Sequence, residues 1–153
     1  MALSKHATLS YYFESRQNRL IIPVQIHSVP FNSMLSVYTN ALWDTGAMMS
    51  AITPDIRDKL KAPSVDRKTI AGIHSSQEVD IVSIMLELPN NVVKRTFKAA
   101  VCNIASSAEM IIGMDIISLG DFALSNGNDQ PLFSFAVPPF VNKIDFSKRQ
   151  DEE

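Results

Sequence analysis

The stretch Ala41-Leu42-Trp43-Asp44-Thr45-Gly46-Ala47 carries an apolar run directly into a carboxylate, a small β-branched residue and a glycine. An apolar strand that ends on an acid delivers the charge to the floor of a cavity rather than to a solvated surface. The Thr45 hydroxyl is then in reach of nearby backbone. Gly46 lets the chain turn so that its amide points back at the carboxylate. An acid held in this way is a candidate for proton transfer to or from a reacting group. Asp-Thr-Gly by itself is weak, because any tripeptide turns up by accident and the bland alternative is an ordinary turn aspartate.

The other chemistry-bearing residues do not converge. His6, His27, His74 and Cys102 are scattered without metal-ligand spacing, so no metal is expected. Cys102 falls in a strand pattern and reads as a small core residue, with no motif for a Cys-His nucleophile. Asp55 and Asp58 belong to a helix start and its exposed face. Met48 and Met49, just past the loop, read as gap fillers or ligand contacts rather than as a cofactor box. Arg67-Lys68 and Lys94-Arg95 are short basic pairs without interleaved aromatics.

The bulk composition narrows the class. The chain has 153 residues, 46% hydrophobic and 20% charged, with a formal net charge of −2, which fits one soluble globular domain. A domain of this size buries roughly 70% of its unfolded surface and needs no disulfide or metal to fold. The charge balance offers no footprint for nucleic acid or for an anionic membrane. No window approaches the ~20 apolar residues of a membrane span. The first residues lack the apolar core of a secretory signal, and one cysteine excludes an intrachain disulfide, so a cytoplasmic location is expected.

The elements that must hold Asp44 are mostly short strands. Leu20 to Ile26 is apolar and β-branched, and its Pro23 predicts an edge position or a strand start. Residues 29–33 are turn chemistry, and Leu35 to Tyr38 with Ala41 to Trp43 forms the run into Asp44. Thr53 can cap a helix, with Pro54 at its first position and Asp55 at the positive end of its dipole. That helix passes Ile56 and Leu60 and stops before Pro63. Thr69 to Leu88 reads as a long hairpin, Pro89-Asn90-Asn91 as a turn, and Val92 to Ile104 as a strand pair. Glu109 to Gly113 is a buried-strand pattern, after which Asp115 is expected to cap a helix over Ile116 to Leu119. Phe122 to Ser125 and Leu132 to Val137, joined by a turn at residues 126–129, complete the sheet. Residues 1–16 show little periodicity and read as an arm or loose extension, and the last half-dozen residues are expected to be disordered.

In this setting the Asp44 loop resembles the active-site loop of aspartic proteases, and Ala47 after the glycine resembles the retroviral-type branch, the retropepsins. The family's second signature is two apolar residues and a glycine opening a short helix. Ile111-Ile112-Gly113, followed by Met114-Asp115-Ile116-Ile117, is similar to it. Between the two, Ile70 to Val79 stands where the family has a flap. The resemblance implies a fold class that is all-β with one or two short helices: a pepsin/retropepsin-like acid protease barrel, one lobe per chain. It implies a single-domain member of bacterial type, with residues 19–137 as the domain, 1–18 as an N-terminal extension and 138–153 as a C-terminal one. Asp44 would be the catalytic carboxylate and Thr45, Gly46 and Ala47 its support. Gly72, Ile73, His74 and Ser75 would form the flap tip, although His74 read alone is a solvated loop residue. Ile111, Ile112 and Gly113 would form the pocket wall. Met114 departs from the viral pattern, where an arginine is usual.

Aspartic proteases use two carboxylates about 3 Å apart sharing one proton. This chain has one Asp-Thr-Gly, so the resemblance implies a homodimer with the active site on its twofold axis. The implied activity is endopeptidase cleavage of an extended peptide or protein, with no cofactor. A non-catalytic peptide-binding or dimerisation module of the same fold is the alternative.

Overall fold

Period-two alternation builds most of the chain. The computed structural model describes residues 6–29, 35–71, 75–91, 94–127 and 130–148. Strand β2 (Ile21–Ser28) turns Ile22, Val24 and Ile26 inward at 0–3% exposure, and β3 (Ser36–Trp43) turns in Ala41 and Trp43. β4 (Ala51–Ile52), β6 (Ser76–Glu87), β7 (Lys94–Val101) and β8 (Met110–Ile112) complete a barrel in the order β2-β3-β8-β4-β7-β6, which a β2–β6 ladder closes. Closure leaves these strands no open sheet edge along their shared pairings. β5 (Ser64–Ala71) pairs with β6 as the outer strand of a hairpin. Pro23 lies where β2 has only β3 beside it, because the ladder to β6 begins at Gln25. A residue without an N–H is tolerated there.

Two helices follow the two motifs. α1 (Pro54–Leu60) starts as its residues predict: the Thr53 hydroxyl accepts from the Ile56 amide at 3.4 Å, and Lys61 ends the helix in the left-handed region at φ 50°. Ile56 and Leu60 are buried, and each such side chain contributes roughly 1.5–3 kcal/mol of burial. α2 covers Met114–Ile117 rather than 116–119, with Gly113 at its N-cap and no capping side chain. The expected cap, Asp115, has its carboxylate on Ser50 instead.

Three strands form a second sheet in the order β1-β10-β9, where β1 is Ala7–Tyr12, β9 is Asp121–Ser125 and β10 is Leu132–Val137. The N-terminal segment is therefore a strand where weak periodicity predicted a loose arm. Leu9, on its inner face, is 1% exposed and joins Phe133 and Phe135 in the core. The expected strand pair over 92–104 is one strand, β7, which lies between β6 and β4. The predicted turns at 29–33 and 126–129 and the loose end at 148–153 fall largely outside the described residues.

Candidate active site

The ends of β3 and β8 place the two motifs side by side. The strands run parallel, with Trp43 opposite Ile112, so the next residues, Asp44 and Gly113, emerge at the same level. The Asp44 amide donates to the Ile112 carbonyl at 2.9 Å, and the Met114 amide donates to the Ala47 carbonyl at 2.7 Å. The Gly46 amide donates to Asp44 Oδ1 at 2.8 Å, the backward-pointing geometry the turn requires. Gly113 has no room for a side chain. An added Cβ would stand 2.8 Å from the Ala47 carbonyl oxygen and 2.9 Å from the Met49 carbonyl carbon. Two loops separated by more than sixty residues thus meet backbone to backbone, which is how the fold fixes the Asp44 carboxylate.

A buried serine ties the same two loops together. Ser50 is 0% exposed; its amide donates to Asp115 Oδ2 at 3.0 Å and its hydroxyl to Asp115 Oδ1 at 2.7 Å. The hydroxyl oxygen also accepts from the Gly113 amide at 3.0 Å. Ser50→Ala leaves that amide and one carboxylate oxygen without their partner, so chemical denaturation is expected to show a loss of about 1–3 kcal/mol.

Behind Asp44, the Trp43 ring packs on Phe133 and Phe135 with centroids 4.8 and 5.0 Å away. Its buried indole N–H has no partner among the described residues, a cost offset by packing the ring. In front, Thr45 and Gly46 are exposed, so the chain alone does not enclose the carboxylate.

No protein-family model matches the sequence, and no curated protein matches it. Solved structures do. A retropepsin-like aspartic protease from Rickettsia conorii matches with a TM-score of 0.53 and 15% identity, over 90% of this chain and 99% of its own. EIAV protease complexed with the inhibitor HBY-793 matches with a TM-score of 0.50 and 21% identity, over 67% of this chain and 88% of its own. The chain has the retropepsin-like fold.

Within this retropepsin-like lobe the predicted residues separate. Asp44, Thr45, Gly46, Ala47 and Gly113 come together at the ends of β3 and β8. Ile111 and Ile112 do not share a surface: strand alternation sends Ile112 into the main core at 0% exposure and leaves Ile111 half-buried on the other side. Gly113 is likewise buried against the Asp44 loop, so of the three expected wall residues only Ile111 keeps an open side. Gly72, Ile73 and His74 lie outside the described residues, and Ser75 is exposed just before β6.

Ile111 packs with residues of the expected flap, Ile70 and Val79, and with Ala51, Ile81 and Ala100, which the reading of the sequence did not assign to the site. Ala51, Val79, Ile81 and Ala100 form a satellite cluster, with Met49, Ile70, Cys102 and Ile111 half-buried against it. It joins Met49, just past the Asp44 loop, to Ile70 of β5 and Val79 and Ile81 of β6, and carries no charge. Burial pushes the Cys102 thiol above its ordinary pKa, which makes it a poor nucleophile near neutral pH. Met48 is 89% exposed and fills no gap in the core. His27 Nε2 lies 2.7 Å from Glu87 Oε2 across the β2–β6 ladder. Among the described residues no three His, Cys, Asp or Glu side chains are grouped to hold a metal ion, and no helix is long and apolar enough to cross a membrane.

Proposed function

We propose that this chain is one subunit of a homodimeric aspartic endopeptidase in which two Asp44 carboxylates face each other across the twofold axis. The observation that carries the reading is the Asp44 loop: a carboxylate held by the Gly46 amide, braced by Gly113 through backbone contact, on a lobe of retropepsin-like fold. The exposed loop tip fits a surface that a second copy covers. Two carboxylates about 3 Å apart cannot both ionise, so the pair holds one proton. The ionised acid takes a proton from a water lying between them, and that water attacks the scissile carbonyl. The protonated acid donates to the developing oxyanion. No cofactor or metal enters these steps.

The substrate in this reading is an extended polypeptide running between the paired loops and the β5–β6 hairpin, with an apolar side chain resting on Ile111 and Met49. EIAV protease, of the same fold, is described with a bound inhibitor. The lone cysteine suits a reducing, cytoplasmic setting. The test is a statine-type transition-state mimic followed by thermal melting and titration. The expected result is a large upward shift with one inhibitor per two chains, absent in Asp44→Ala. A shift of equal size in Asp44→Ala points to a peptide-binding module and overturns the enzyme reading.

A further inference from the structure

The β5–β6 hairpin leaves the barrel where Arg57, Arg67 and Asp80 meet, with Glu78 Oε2 3.9 Å from Arg67 Nη1. From Ile81 onward β6 has β7 beside it, with Ile81 opposite Ala100. Residues 76–80 pair with β5 alone, Arg67 standing opposite Asp80. Asp80 is thus the last residue of the projecting part. Its neighbours Val79 and Ile81 are buried in the satellite cluster, so alternation turns Asp80 to the opposite face.

On that face both carboxylate oxygens are taken. Arg57 Nη1, on α1, lies 3.0 Å from Oδ2, and Arg67 Nε, on β5, lies 3.0 Å from Oδ1. Arg57 also donates through Nε to the Ala62 carbonyl at 3.3 Å, which fixes its guanidinium. An isolated surface ion pair does little. Here one carboxylate, 24% exposed, bridges two guanidinium groups in hydrogen-bond geometry. The Arg67 hydrogen bond holds the Asp80 carboxyl below the usual carboxylate range.

The two arginines belong to different elements. Arg57 rides on α1, which is rooted in the core by Ile56 and Leu60 and joined through β4 to the Asp44 loop. Arg67 belongs to the hairpin. Below the clamp the β5 ladder is interrupted between Ser64 and Asp66, and an irregularity of this kind bends a strand. We propose that Asp80, gripped by Arg57 on α1 and by Arg67 on β5, is a positioning residue that sets the angle at which the β5–β6 hairpin leaves the barrel, beside the cluster that holds Met49 and Ile111. Its effect on turnover rests on the peptidase reading above; its effect on the hairpin does not.

Trypsin reads the hairpin directly, because Lys68 is exposed on β5 and cleavage requires the local strand pair to open. In Asp80→Asn and Arg57→Ala, nicking after Lys68 is expected to be about fivefold faster or more, with the denaturation midpoint and cleavage at other sites as in the parent. Arg57→Lys, which keeps a cation for Asp80, brings nicking back toward the parental rate. With a peptide substrate, Asp80→Asn raises KM about fivefold and leaves kcat within about twofold, because the hairpin orients substrate without touching the reacting atoms. Parental nicking in Asp80→Asn overturns the proposal, as does nicking that accelerates equally everywhere as the midpoint falls. A parent chain without peptidase activity instead defeats the functional reading and leaves the nicking comparison intact.

Discussion

Asp44→Asn is expected to fold as the parent does, to form the proposed homodimer, and to lose about 10^3-fold or more of the proposed peptide hydrolysis. The amide keeps an oxygen that accepts the Gly46 N–H now 2.8 Å from Oδ1, so the loop geometry survives. Size and shape are unchanged, and in the proposed dimer two amides facing each other carry no net charge into the interface. What disappears is the only group in the loop able to take a proton from water. Sedimentation and steady-state cleavage of a peptide measure the two halves of this prediction separately. Hydrolysis by the purified variant at the parental rate rules out Asp44 as the base.

Gly113→Ala carries the second large effect, this time on the frame. Its Cβ would lie 2.8 Å from the Ala47 carbonyl oxygen, 2.9 Å from the Met49 carbonyl carbon and 3.0 Å from the Met49 carbonyl oxygen. These are backbone atoms, so a side chain cannot swing aside to make room. The Asp44 loop must shift, and overpacking of this kind costs roughly 1–3 kcal/mol. The Ala47 carbonyl also accepts the Met114 amide, and the Asp44 amide donates to Ile112, so the shift reaches the carboxylate. A misplacement near 1 Å lowers kcat/KM by about 10^2-fold. Gly46→Ala is the control: its Cβ meets the Asp44 side chain at 3.2 Å, so stability changes less than for Gly113→Ala. Urea titration and kcat/KM on both variants give the comparison. A Gly113→Ala protein with parental stability and turnover contradicts the packing described here.

Both predictions concern motifs visible in the sequence, yet they differ in how much of their physics was. The Gly46-to-Asp44 hydrogen bond spans two residues, and the α1 cap spans three, from Thr53 to Ile56. Interactions this short are encoded by adjacent residue types. So is the alternation that turns Ile22, Val24 and Ile26 of β2 inward. A strand, a turn around an acid, and a capped helix were therefore legible, and the family resemblance that the order of motifs carries implied the barrel.

The remainder depends on pairs far apart in the chain, for which composition and periodicity carry no signal. Asp115 reads as a helix cap until Ser50, 65 residues away, is brought against it. Leu9 lacks a pattern around it, and only Phe133 and Phe135 across the sheet make its segment a strand. Adjacent isoleucines 111 and 112 look equivalent as letters, whereas the pleat puts one beside the Asp44 loop and the other in the core. Asp80 is one acid among several until α1 supplies Arg57 from 23 residues away. Local chemistry singled out Asp44 as the candidate acid. The closed barrel decided what holds that acid still, because rigidity comes from contacts between distant segments and exists only once the chain has folded.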